Sequence, residues 1–298
     1  MVFSAYRQVE NNIIKSWLFI IIFALTIVFL GWLFSYLFDL RFLLFLAIIF
    51  AFLEGFLGYF YSDQIILSSV KAKPLLKEEG REVYNIIENL TIASGLKMPK
   101  VYFLDDYSIN AFATGRNPEK GVICLTKGAI EKLEKTELEG VIAHELSHIK
   151  NNDIFLFSVI AIMASAIGYL SYWFLRINYF PKKDEREGNN LFFLIGFLIA
   201  LLAPLFITLL KLAISRKREF LADASGVLIT RYPKGLINAL RKIELENQIT
   251  KIPNPAFSHL FISDPFRKRK NWFLNLWSTH PPIEERIKAL EKMETDLI

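Results

Sequence analysis

Four long runs without charge constrain the fold of this chain more than any other feature. Residues 16–38 contain no Asp, Glu, Lys or Arg, residues 42–62 contain one, Glu54, and residues 154–175 and 191–210 contain none. Each run is about 20 residues, the length at which an α-helix crosses the hydrocarbon core of a bilayer. A helix is also the form in which a single segment satisfies its own backbone polar groups in lipid. A mean hydropathy of +0.33 and 27 Phe in 298 residues agree with an integral membrane protein. The runs pair into two hairpins and divide the chain. Residues 1–69 read as a first transmembrane hairpin, 70–153 as the first part of a domain folded outside the membrane, 154–214 as a second hairpin, and 215–298 as the second part of that domain.

The basic residues lie beside the runs. Arg7 and Lys15 precede the first, Lys71, Lys73 and Lys77 follow the second, and Arg216, Lys217 and Arg218 follow the fourth. With a net charge of +5 this is a positive-inside pattern, which places the domain on the cytoplasmic side of a multi-pass plasma-membrane protein. It is not a nucleic-acid footprint. The loop at 176–190 mixes Arg176, Lys182, Lys183 and Arg186 with Asp184, Glu185 and Glu187, so its side is less well defined. The first run is too long for a signal peptide and is followed by no small-residue cleavage site, so it reads as a retained span. The single cysteine, Cys124, excludes an intramolecular disulfide and sits in a run that reads as a buried strand.

Between the hairpins the pattern is that of a small folded domain. Residues 78–94 have helical periodicity stopped by Gly95, and 101–104, 111–114 and 122–125 read as short strands of a three- or four-stranded sheet. Thr126 caps a short helix. Thr136-Glu137-Leu138-Glu139 has the form of a capping box that opens the next helix, and residues 281–293 read as a last amphipathic helix.

That next helix carries His144-Glu145-Leu146-Ser147-His148, an H-E-x-x-H pattern that uses two of only 4 His in the chain. Residues four apart share a helix face, so both imidazoles can hold one Zn²⁺ while Glu145 reaches a water on the metal. A catalytic zinc needs a third protein ligand, for which His259, His280 and a carboxylate are candidates. Glu219 follows the fourth run closely, as His148 precedes the third, so an out-and-back hairpin returns both to one side of the membrane. Asp223, one turn after Glu219, can accept a hydrogen bond from a ligand imidazole. His259 and Glu54 receive no role.

Four stretches together resemble the HtpX-type membrane zinc endopeptidases, of the same peptidase family as the CAAX prenyl endopeptidases. They are Asn110-Ala111-Phe112-Ala113-Thr114-Gly115, His144 to His148, Arg218-Glu219-Phe220-Leu221-Ala222-Asp223, and Thr279-His280-Pro281-Pro282 with Arg286. The fold this implies is an α-helical integral membrane protein with an α+β zincin-like catalytic domain, a small mixed sheet plus the H-E-x-x-H helix. The resemblance implies one Zn²⁺ per chain with Glu219 as third ligand. It implies that Asn110, Ala111, Phe112 and Ala113 form an edge strand binding the substrate backbone, and that His280 and Arg286 lie over the cleft near the scissile carbonyl. Glu145 is then the general base. The expected partners are polypeptide substrates, above all membrane proteins handled in quality control, and the lipid bilayer. Two alternatives stay open: a narrow processing protease, and a catalytically inactive membrane scaffold.

Overall fold

The computed structural model describes residues 2–178, 196, 216–246, 255–263 and 280–297. Two long apolar helices open the chain, α1 over Val2–Phe38 and α2 over Phe42–Phe60, joined by a tight turn in which Asp39 takes a positive φ of 49°. Within them, Glu10–Leu37 and Phe42–Phe60 are long and apolar enough to cross a membrane. Many of their large side chains point outward, while Phe19, Phe23, Leu30 and Phe34 are buried. Phe45, Phe52 and Tyr36 are 65%, 70% and 76% exposed, the inversion expected where the solvent is lipid. Gly31 lets the two helices touch, because a Cβ there would meet Ala47 Cβ at 2.2 Å.

A short helix α3, Ser62–Ser69, leads to strand β1, Lys73–Pro74, and helix α4, Arg81–Ser94, which ends on Gly95 at φ 70° as its left-handed cap. Strands β2 (Lys100–Leu104), β3 (Ala111–Thr114) and β4 (Val122–Thr126) complete a mixed sheet of order β1-β2-β4-β3. β2 runs parallel to β4, and β1 and β3 run antiparallel to their neighbours. Cys124 lies on β4 and is buried. Thr126 caps α5, Lys127–Lys132, by accepting from the Ala129 N–H.

Helix α6, Lys135–Lys150, carries the H-E-x-x-H pattern. Its capping box sits earlier than the sequence suggested. Glu134 is the N-cap, and the Glu137 carboxylate accepts the Glu134 N–H at 2.7 Å. Glu137 is held there by a second partner, Lys242 Nζ at 2.6 Å. The chain then bends by 84° through Asn151 and Asn152, with Asn152 at φ 57°, into helix α7, Asp153–Asn178. α7 contains the third apolar run. From Asp153 to Ser165 every side chain is buried, against α1, α2, α3, β3 and a 3₁₀ turn at Pro255–Leu260, so this part of the run faces protein. The fourth run lies outside the described residues except for Gly196. Beyond it, helices α8 (Arg216–Thr230), α9 (Pro233–Leu245) and α10 (Ile283–Leu297) pack on α6 and one another.

The buried apolar side chains form two clusters. One joins the hairpin to α7 through Phe19, Phe23, Phe155 and Ile160. The other is the core of the folded domain, with Ile87, Ile123, Ile142 and Leu240. The corner between α6 and α7 is where the two meet.

Candidate metal centre

α6 runs through the domain core, so its polar residues are buried along with its apolar ones. His144, Glu145 and His148 are 0%, 1% and 6% exposed. Glycines set how closely the neighbouring helices approach. A Cβ at Gly140 would meet the Leu236 backbone N of α9 at 2.6 Å, and one at Gly226 would meet the His144 backbone N at 3.1 Å. On α8, Glu219, Asp223 and Gly226 are spaced at i, i+4 and i+7, one helix face. The close contact at Gly226 therefore aims both carboxylates at His144.

His144 Nε2 and His148 Nε2 stand 3.2 Å apart. Glu219 Oε2 is 3.8 Å from the first and Glu219 Oε1 is 3.6 Å from the second. One ligand atom from each of these residues lies within 4.8 Å of the others. Bonds of about 2.0–2.1 Å at tetrahedral angles separate two ligand atoms by about 3.3 Å, close to the spacing of these donors. Glu219 Oε2 is buried without a hydrogen-bond partner, as are both carboxylate oxygens of Glu145. Buried carboxylate oxygens left bare are costly unless something positive completes them. A His₂Glu donor set with these spacings and bare atoms fits a zinc ion.

The other nitrogen of each imidazole has a carboxylate. His144 Nδ1 is 2.9 Å from Asp223 Oδ1, and His148 Nδ1 is 3.0 Å from Asp153 Oδ2. Each ring thus donates from Nδ1 and turns the lone pair of Nε2 toward the centre, the tautomer a metal requires. The local field favours positive charge. Burial works against a charged His148, but Asp153, Glu219 and Glu145 together lift its pKa to about 9. For His144 burial wins, and its pKa is lowered. Burial pushes Glu145 up to about 7, against the pull of His148 and Arg286. Asp223 behaves oppositely: burial would raise it, but Arg286 and His144 hold it well below the usual carboxylate range.

His280 Nε2 stands 3.9 Å from Glu219 Oε2, beside the donor set. Arg286 does not lie over a cleft. It is 1% exposed, its Nε and Nη2 donate to Asp223 at 2.8 and 2.7 Å, and its Nη1 donates to Ile262 O at 2.9 Å. The guanidinium sits behind His144 and Glu219, where α10 buries it, with Nη2 3.5 Å from His144 Nδ1 and Nη1 3.7 Å from Glu219 Oε2.

β3 is the edge strand of the sheet, but its outer edge is already occupied. Phe112 bridges Phe261 in antiparallel sense, and the Ile262 N–H donates to Ala111 O at 2.9 Å. Asn110 Nδ2 donates to Ser263 O at 3.0 Å. At the far end of β3, Thr114 Oγ1 is 2.8 Å from Ser158 Oγ of α7. Asn110, Ala111 and Phe112 are thus covered by the chain's own residues 261–263, and Ala113 is buried beside them, where an open edge was expected. His259 packs inward, Nε2 3.2 Å from Phe157 O.

Sequence reasoning missed Asp153 and its neighbours. Asn12 Nδ2 of α1 donates to Asp153 Oδ1 at 2.6 Å and to Asn151 O at 3.0 Å, and Arg218 Nε lies 3.9 Å from Asp153 Oδ1. Asp153 stands five residues after His148 and beyond the bend, so no helical spacing connects them. The available signal was an Asn pair, Asn11-Asn12, at the start of an apolar span, where a buried polar side chain needs a partner.

The family model for peptidase family M48 matches residues 77–294, well over half of the chain. A protease HtpX homolog of Dictyoglomus thermophilum is 40% identical over 98% of this chain and 95% of its own length. One of Caldanaerobacter subterraneus subsp. tengcongensis is 40% identical over 97% of each chain, and one of Streptococcus pneumoniae is 37% identical over 97% of this chain and 99% of its own. Among solved structures, S. mikatae Ste24p aligns with a TM-score of 0.48 at 20% identity, over 95% of this chain and 66% of that one. With its membrane-length helices and its His₂Glu cluster, the chain belongs to peptidase family M48 and is a membrane metallopeptidase.

Proposed function

We propose that this protein is a multi-pass zinc endopeptidase that cuts membrane or misfolded proteins at the cytoplasmic surface of the membrane, in protein quality control. The observation that carries the reading is the meeting of His144, His148 and Glu219 with the two bare carboxylate oxygens of Glu145 inside the domain core. The level of the site supports action at the membrane surface. Asn12, the third residue of the span Glu10–Leu37, bonds the Asp153 carboxylate that His148 also uses. The basic residues beside the spans support the cytoplasmic side.

His144, His148 and Glu219 hold the zinc, which when bound supplies Lewis acidity to a water and to the scissile carbonyl. Asp223 and Asp153 fix the two rings from behind. Glu145 takes the proton of the attacking water and hands it to the leaving amine; a pKa lifted toward neutrality by burial suits a group that must do both. His280, beside Glu219, is the side chain placed to donate to the developing oxyanion. Arg286 holds Asp223 and so acts through His144.

An extended substrate joins β3 by strand addition once residues 261–263 leave its edge. A disulfide between cysteines at positions 110 and 263 should then stop cleavage, and reduction should restore it. Full activity of the oxidised protein would rule out that entry route. The substrate class is tested with the Glu145→Gln protein as a trap in membranes. Recovery of membrane proteins with unfolded cytosolic segments is the expected result. Recovery of a single intact precursor, or of folded soluble proteins alone, would contradict the quality-control role.

A further inference from the structure

Asn12 is 1% exposed, a costly place for an amide unless both its N–H groups are used. Both are. One goes to Asp153 Oδ1 and the other to Asn151 O, the two residues that flank the turn at Asn152 between α6 and α7. The Asp153 carboxylate is shared out: Oδ1 accepts from Asn12, and Oδ2 faces His148 Nδ1 at 3.0 Å. Without Asn12, the partner left to Oδ1 among the described residues is the distant Arg218 Nε at 3.9 Å, too far to hold the plane of the carboxylate. A carboxylate free to turn no longer sets the tautomer and direction of the ring it serves. The hairpin is tied in at the same level by packing. Trp17, little more than one turn beyond Asn12, sits edge-on to Phe155 of α7 with ring centroids 6.1 Å apart, and Ser16 Oγ donates back to Asn12 O at 2.8 Å.

We propose that Asn12 is a positioning residue for the metal site, acting through Asp153 on His148, so that the seating of the first membrane helix against α7 sets the zinc affinity of the peptidase. The inference rests on the reading of His148 as a zinc ligand. It makes the hairpin part of the site's construction as well as its anchor. A perturbation that lifts α1 away from the corner would lower metal occupancy with no change in any ligand.

The test is zinc affinity by chelator competition on the full-length chain in detergent, with Glu145→Gln present throughout to prevent self-digestion. Asn12→Leu, which keeps the approximate shape and removes both donors, should weaken zinc about tenfold, the lower end of the range for groups that support a metal ligand. Its melting temperature under chelation reads separately the cost of the hydrogen bonds lost to Asp153 and Asn151. Added to His148→Ala, Asn12→Leu should cause no further loss, because the ring it acts through is gone. Unchanged affinity in Asn12→Leu, with affinity lost in His148→Ala, would overturn this proposal and leave the ligand assignment standing. Unchanged affinity in His148→Ala would overturn the ligand assignment and this proposal with it. If Asn12→Leu does not accumulate as a folded protein, Asn12→Ser, too short to reach Asp153, gives the same readings.

Discussion

The N-terminal hairpin and the α6–α8 site are built on opposite rules. In the hairpin many bulky apolar side chains are outside, with Phe52 70% exposed, and a polar residue such as Asn12 is inside. Around α6 the charged groups are inside, with Glu145, Glu219, Asp223 and Arg286 each 2% exposed or less, packed among Val141, Ile142 and Leu146. The first arrangement is cheap because lipid solvates what water would not. The second is expensive, because each buried charge must be matched by another or by a metal. The contrast shows where selection for function has overridden the economy of folding: at the corner of α6 and α7, where the two regions share Asp153.

The largest expected effect comes from unbalancing the buried charges. Arg286→Met leaves Asp223 buried without its bidentate partner and should cost about 3–5 kcal/mol of stability, read from denaturant unfolding in detergent. A loss below about 1 kcal/mol would mean that the pair is not the counterweight described. Reversing the rule in the hairpin should cost somewhat less. Phe52→Arg puts a charge on the outward face of α2 and should disfavour insertion by about 2.5–3.5 kcal/mol, seen as a larger fraction extractable from membranes at alkaline pH. Unaltered integration would place that face against protein.

Smaller effects follow from pH. Asp223 is held below its unfolded value, so the stability it contributes is present above about pH 4 and is lost as pH falls through the folded value. Glu145 has the reverse sign. Its folded pKa of about 7 lies above the unfolded carboxylate value, so its ionisation costs stability as pH rises from about 4.5 to 7. Under chelation, Glu145→Gln should therefore melt several degrees above wild type at pH 8, with the gap closing toward pH 5. A gap independent of pH would assign the difference to packing.

Much of this was legible in the sequence, and the remainder failed for one reason. The two membrane-length helices, the strands at 101–104, 111–114 and 122–125, and the helix stopped by Gly95 follow from local pattern. His144 and His148 meet by helical spacing alone, and Glu219 and Asp223 share one face of α8 by the same spacing. What stayed hidden depends on contacts far apart in the chain. Asn12 meets Asp153 across 141 residues and Asn110 meets Ser263 across 153. Neither the clamp on His148 nor the covering of the β3 edge leaves a periodic trace. Arg286 on an amphipathic helix is indistinguishable from a solvated charge until α10 is packed and its guanidinium closes on Asp223. The first part of the third apolar run shows the same limit, since charge-free length does not distinguish a helix facing lipid from one enclosed, as at residues 154–165, by α1, α2 and β3.

The most direct measurement compares wild type and Glu145→Gln, both purified in detergent under chelation, before and after one equivalent of Zn²⁺, following self-cleavage and casein cleavage together with bound zinc. Both proteins should bind one zinc per chain, and Glu145→Gln should cleave about 10² to 10⁴ times more slowly than wild type. Cleavage by Glu145→Gln at the wild-type rate, or failure of either protein to bind zinc, would contradict this mechanism.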